Sequence, residues 1–192
     1  MTVREARDPA PPAAGAAGRG AVRVLLAVAA LAYALDLVSK VLIVANLDRP
    51  GDEVRLLGGA LYLVQARNSG AAFSLGTGET IVLTVVSLLV VAVIVRASRR
   101  LRSLGWAVSL GLVLGGAVGN LTDRMFRAPS PGKGHVVDWI SVFADDGHVW
   151  PIFNLADSAI VVGGVLAVLL SLRGIDFTGR SKQSAARPDA DG

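Results

Sequence analysis

Residues Thr80–Val95 read TIVLTVVSLLVVAVIV, an apolar run without a single charge. In water its β-branched content would favour a strand. In lipid only a helix or a closed barrel satisfies every backbone N–H and C=O, and a barrel strand alternates apolar with polar residues. This run does not alternate, so it is read as a membrane-spanning helix.

Three further blocks share its character. The first, Ala21–Ala45, is broken only by Arg23, Asp36 and Lys40. It spans roughly 37 Å as a helix, which is too long for a signal-peptide core and enough to cross with some tilt. The third, Leu104–Leu121, carries Gly111, Gly115, Gly116 and Gly119, and the fourth is Leu155–Leu172. Gly115 and Gly119 form a small-xxx-small pair, which permits close helix contact or close approach of a substrate. Of the 192 residues 53% are hydrophobic and 18% charged, where a soluble domain carries about a quarter charged. The fold class expected is an all-α membrane protein, with spans at about 21–45, 80–95, 104–121 and 155–172 in one compact domain. Residues 1–20, rich in Ala, Gly and Pro, and the polar segment 173–192 are expected to be disordered tails.

Charge sets the orientation. The connection between the second and third spans holds Arg96, Arg99, Arg100 and Arg102 with no acid. The tails add Arg4, Arg7, Arg19 and Arg23 at one end, and Arg173, Arg180, Lys182 and Arg187 at the other. In the two long connections bases are balanced by acids: Asp48, Asp52 and Glu53 lie in one, and Asp123, Asp138, Asp145 and Asp146 in the other. The positive-inside rule then puts both termini in the cytoplasm and both long loops outside. The net charge of +4 is thus a topology signal and not a nucleic-acid footprint. Within the first outer loop, Val54–Gln65 is rich in Leu and Val between turn residues. It reads either as short strands on the membrane surface, a small extracytoplasmic β-rich region between spans one and two, or as an ordinary structured loop.

The chemistry available is narrow. No cysteine exists, which excludes disulfides and thiol nucleophiles, and His135 and His148 are too few for a histidine-rich metal site. No cofactor or metal is expected. Apart from the arginines, polar residues gather at the outward ends of the spans: Asp36 and Lys40 at i, i+4; Asn120, Asp123 and Arg124; Asp138; Asn154 and Asp157. Ionisable groups at membrane depth are costly, so they line a functional cavity or pair with each other. Each group also has a plain structural reading. Asp36 and Lys40 make an ion pair on one helix face. Asp123 and Arg124 are interfacial anchors, and Asn154 with Asp157 is a helix-capping arrangement. Asp138 stands out because its setting, Val136-Val137-Asp138-Trp139-Ile140, is apolar.

Read together, Asp138 and Asp157 suit peptide hydrolysis by two carboxylates. One, ionised, takes a proton from water, while the other, protonated, hydrogen-bonds to the carbonyl oxygen. Close carboxylates share one proton, which supplies both roles. The dipole at the start of span four favours the charged form of Asp157, and the apolar surroundings favour protonated Asp138. A cation channel is the first rival reading, but acidic residues do not continue through the spans. A presenilin-type protease is the second, but its Gly-x-Gly-Asp string does not occur.

Five motifs now stand in order: Asp36-Leu-Val-Ser-Lys40, Asn68-Ser-Gly70-Ala71-Ala72-Phe73, Gly119-Asn120-Leu-Thr-Asp123-Arg124, His135-Val-Val-Asp138 and Phe153-Asn154-Leu-Ala156-Asp157-Ser158. Over residues 25–172 the chain resembles lipoprotein signal peptidase, the bacterial inner-membrane aspartic peptidases also called signal peptidase II. The resemblance implies cleavage of diacylglyceryl-modified prolipoproteins just before the lipidated cysteine, at the extracytoplasmic face, with Asp138 and Asp157 as the catalytic pair. It implies that Asp36, Lys40, Asn68, Gly70, Asn120, Asp123, Arg124, Asn154 and Ala156 orient substrate and buttress the pair. It further implies a surface strand region around 54–70 that cradles substrate, and inhibition by the cyclic peptide globomycin. A monomer among membrane lipids is expected. Glycines along span three would leave room for the substrate helix, and Ala71-Ala72 would suit its small residues. The insert Ala128–Gly134 and the two tails depart from the family without touching a motif.

Overall fold

The computed structural model describes residues 14–178 apart from Asp48, Pro50 and 71–78. Expectations about Arg4, Arg7, Ala71, Ala72, Arg180, Lys182 and Arg187 fall outside the described residues. Four helices dominate: α1 (Ala14–Asn46), α2 (Glu79–Ser98), α3 (Leu104–Phe126) and α4 (Leu155–Leu172). All four are long and apolar enough to cross a membrane. Their outer surfaces expose Val and Leu, such as Leu31, Leu42, Val82, Leu89, Val161 and Val168. Such surfaces suit hydrocarbon, not water.

The centre of the bundle is α3, with half of its span buried against 22% or less for the others. Its glycines explain this. A Cβ on Gly111 would lie 2.8 Å from the Leu25 carbonyl oxygen, and one on Gly115 would lie 2.6 Å from that of Ala29, both on α1. Gly116 abuts the Ala156 carbonyl on α4, while Gly163 of α4 abuts the Ser109 carbonyl on α3. Here the structure corrects an expectation. These glycines leave no room for a substrate helix, because the backbones of α1 and α4 already fill it. Without a hydrophobic drive between helices in lipid, such close backbone packing is what holds a bundle together.

The β region also differs from expectation. Strands β1 (Val54–Leu56) and β2 (Leu61–Asn68) lie between α1 and α2 as read. A third, β3 (Val136–Val142), comes from the connection between α3 and α4, so the sheet is not confined to the first loop. The order is β1-β2-β3, antiparallel throughout, with Leu61 opposite Val142, Asn68 opposite Val136, and a register shift between Leu63 and Ala66. Val136, Val137 and Asp138 are all buried, so β3 has no alternation to betray it. A further bridge joins Ile140 to Phe153, with Ile140 N donating to Phe153 O at 2.8 Å and the reverse bond at 3.1 Å. That stitch holds the entry to α4 beside β3.

Two boundaries move. Residues 14–20, assigned to the tail from sequence, continue α1 even through Gly15, Gly18 and Gly20, since extending a formed helix avoids the cost of nucleating one. Residues 173–178 are also ordered. The carbonyl of Phe177 accepts from Arg102 N at 2.8 Å, and its ring lies 4.3 Å from that of Trp106. Trp106 Nε1 donates to Ile175 O at 2.8 Å.

The packing generates a paired test. Gly115→Ala should destabilise the bundle by about 1–3 kcal/mol through overpacking against α1. Gly164→Ala on α4, where an added Cβ meets nothing within 4 Å, should be neutral or slightly stabilising. Thermal melts of the two purified variants check the contrast, and equal losses would contradict this packing.

Candidate active site

The polar residues singled out by sequence converge at one end of the bundle. Their keystone is Lys40, whose ammonium is 1% exposed. Its ammonium lies 2.7 Å from Asp36 Oδ2 and 2.9 Å from Asp123 Oδ2 as ion pairs, and it donates a hydrogen bond to Asn120 Oδ1 at 2.9 Å. The i, i+4 spacing on α1 brings Asp36 beneath Lys40, so the plain ion-pair reading holds. What sequence reasoning missed is that the pair is anchored into α3. Asp123 is also paired with Arg127, one turn further along α3.

Each carboxylate then reaches onward. Asp36 Oδ1 accepts from Ala156 N at 2.9 Å, fixing the first turn of α4. The Ala156 side chain is fully buried beside Gly119, which leaves no open space for a larger one. Asp123 Oδ2 accepts from Val137 N at 3.2 Å, which ties down β3 next to Asp138.

Asn154 does two jobs. Its Oδ1 caps α4 by accepting from Asp157 N at 2.9 Å, and Asp157 Oδ2 accepts in return from Asn154 N at 3.2 Å. The capping-box reading is therefore correct. The amide's other end, Nδ2, donates to Asp138 Oδ1 at 2.6 Å. Asp157 Oδ1 remains for Asn120 Nδ2, which donates at 2.8 Å. One buried amide thus bridges the two aspartates, and a second, Asn120, links Asp157 to Lys40. On the far side of Asp138, Asn68 Nδ2 donates to Oδ2 at 2.8 Å. Asn68 is itself oriented by Gly70 N, which donates to its Oδ1 at 2.7 Å. Gly70 adopts φ +98°, a conformation that glycine takes without strain. Thr80, a residue the motifs did not include, donates from Oγ1 to Ser69 O and holds this turn against α2.

Arg124 is buried, donates from Nη1 to Asn120 O at 3.5 Å, and lies within electrostatic reach of Asp157, Asp138 and Asp123. It offsets negative charge among the aspartates and is not a solvated anchor. Burial pushes the Asp138 carboxyl up to about 6, against the hydrogen bonds from Asn68 and Asn154 that favour its charged form. The negative charge of Asp157 pushes in the same direction as burial. Asp157 itself is less buried than Asp138 and sits in the first turn of α4.

Fold and site together define a four-helix membrane protein with two aspartates, Asp138 and Asp157, joined through Asn154 at one end of its bundle. The chain belongs to the signal peptidase II family of aspartic peptidases, whose model, described as Signal peptidase (SPase) II, matches residues 28–173. Relatives named lipoprotein signal peptidase agree. That of Streptomyces coelicolor is 51% identical over 162 residues, covering 84% of this chain and 76% of its own. That of Mycobacterium avium is 51% identical over 165 residues, covering 85% and 87%. The Mycobacterium tuberculosis protein is 46% identical over 188 residues, covering 98% and 84%. Two solved structures share the fold. One, a bacterial membrane enzyme determined in meso at 1.9 Å resolution, has a TM-score of 0.67 and 26% identity over 78% of this chain and 92% of its own. Another, determined in meso at 2.3 Å, has a TM-score of 0.65 and 25% identity, covering 88% and 93%.

Two measurements follow from the network. Lys40→Met strands two buried aspartates and should cost about 3–5 kcal/mol, read as a large loss of thermal stability or of folded yield. The raised Asp138 implies stability present below about pH 4 and lost as pH rises through about 6, worth roughly 3 kcal/mol. The stability of wild type minus that of Asp138→Asn, followed by melts from pH 4 to 7, should fall across that window. A flat difference would mean that the carboxyl is not raised.

Proposed function

We propose that the chain removes signal peptides from diacylglyceryl-modified prolipoproteins, cutting before the lipidated cysteine, with Asp138 and Asp157 as its catalytic pair. The observation that carries this reading is the bridge through Asn154, which joins Asp138 and Asp157 in a chain that belongs to the signal peptidase II family. Asp138, buried and raised, enters the reaction as the protonated partner and hydrogen-bonds to the scissile carbonyl oxygen. Asp157, ionised at the start of α4, takes a proton from the attacking water. Oxygen adds to the carbonyl carbon as that proton moves to Asp157 and the carbonyl oxygen takes the proton of Asp138. Collapse of the tetrahedral intermediate returns that proton to Asp138 and expels the amine, which accepts the proton held by Asp157. Asn68, Asn120 and Asn154 fix the carboxylate planes, and Gly70 and Ala156 fix the backbone around them. Asp36, Lys40, Asp123 and Arg124 hold α1, α3, β3 and α4 in register and balance the charge.

Topology follows the arginines. The bundle end that carries Arg19, Arg23, Arg96, Arg99, Arg100 and Arg102 faces the cytoplasm of a bacterial cell, with both termini, by the positive-inside rule. The site end and its sheet then lie at the extracytoplasmic surface of the inner membrane, where a lipidated substrate arrives sideways through the bilayer. The sheet edge supports the substrate backbone there. The protein works as a monomer within lipid, and globomycin-type cyclic peptides compete for the pair.

Cleavage of a purified diacylglyceryl-modified precursor, with unmodified precursor and added globomycin as controls, tests the proposal. Asp138→Asn and Asp157→Asn should each reduce turnover by at least about three orders of magnitude, the scale seen when a residue acting as acid or base is removed, while both variants remain folded and inserted. Near-normal cleavage by either variant would remove that aspartate from the chemistry.

A further inference from the structure

The opposite end of the bundle carries a second built feature that the peptidase reading does not use. A cavity of about 660 Å³ there is lined by Arg96, Arg99 and Arg100 of the α2 end, with Val93 beneath them and Asp176 and Phe177 beside them. A second cavity, about 480 Å³, is lined by Arg19, Arg23, Arg99 and Arg102 around Val22 and Leu101. Arg99 lines both, so six guanidinium groups surround two adjoining hollows with Asp176 as the one acid. Among the described residues, none of the six arginines forms a salt bridge. The wall of the first cavity is held in place. Phe177 O accepts from Arg102 N and Ser103 N, and the Phe177 ring rests on Trp106. The chain leaving α4 is thereby folded back against the arginines.

The apolar surface leading to this cavity has a matching shape. Val82, Val86, Leu89 and Val93 are all exposed and, at alternating spacings of four and three, form one stripe along α2. The same stripe continues into Arg96 and Arg100. It runs for roughly 20 Å, more than half of a ~30 Å hydrocarbon core. An acyl chain lying along this stripe would bring a phosphate to the arginines at its end. Guanidinium groups bind phosphate oxygens in pairs, and basic pockets at helix ends bind anionic headgroups.

We propose that this end of the bundle is a binding site for an anionic phospholipid, its headgroup phosphate in the arginine cavities and an acyl chain on the α2 stripe. The site stands whatever the chemistry at the other end. Purified full-length protein in a neutral detergent is titrated with phosphatidylglycerol, with phosphatidylcholine, and with inorganic phosphate at matched ionic strength, and the melting temperature is followed. Phosphatidylglycerol should raise it saturably, and the other two should not. Arg99→Gln should shift the midpoint of that titration by about fivefold or more. Arg173→Gln removes one charge from the same bundle end outside both cavities and should leave the midpoint in place. Arg96→Gln serves the same comparison if Arg99→Gln alters the lipid-free melt. Equal shifts for the Arg99 and Arg173 variants would reduce the effect to general attraction and overturn the site. Equal stabilisation by phosphatidylcholine would overturn it too, and equal stabilisation by inorganic phosphate would make it an anion site without a lipid.

Discussion

An ammonium group paired with Asp36 and Asp123 and hydrogen-bonded to Asn120 holds this structure together at its functional end. A buried charge in a membrane bundle is tolerable only when it is matched, and Lys40 is matched by two carboxylates and one hydrogen bond to Asn120. The match does more than neutralise. Through Asp36 it fixes Ala156 and the first turn of α4, and through Asp123 it fixes Val137 and β3. Through Asn120 it reaches Asp157. Two helices and one strand are thus referred to a single nitrogen atom on α1. The glycine contacts along α3 bring α1 and α4 close enough for these short bonds to form. Backbone packing and polar matching are therefore one arrangement seen at two depths.

The two aspartates differ because their settings differ. Asp138 lies on a buried strand and its carboxyl is raised, whereas Asp157 stands in the first turn of a helix. Asn154 joins them without making them alike, because an amide has a donor end and an acceptor end. Its acceptor caps α4 and its donor meets Asp138. The same residue that starts the helix therefore sets the geometry of the pair.

Much of this was legible in the sequence, for identifiable reasons. Long apolar runs with few or no charges mark the four helices, and i, i+4 spacing marks Asp36 with Lys40. The cap of α4 was readable from Asn154 and Asp157 alone. Four features were not. Strand β3 is buried at three successive positions, so its period is invisible. The small residues of α3 announce a close neighbour without saying whether helix or substrate occupies the space. Arg127 and Thr80 support the site through partners that are remote in sequence or on another element's backbone, and local patterns cannot show such pairings. Residues 173–178 looked like a polar tail because the Phe177 contact to Trp106 is a tertiary one.

The order of synthesis gives the capping box of α4 a further consequence. Ala156 N and Asp157 belong to α4, the last in chain order of the four described helices, and Asn154 caps it. Until it inserts, Asp36 lacks the backbone donor it accepts from, Asn120 lacks its carboxylate partner, and Asp138 lacks its bridging amide. A nascent chain of three helices therefore carries an unfinished centre with one aspartate and no counterpart. With Asp138 and Asp157 as the pair proposed above, competence arrives only when α4 inserts, and no earlier stage of the chain can cut.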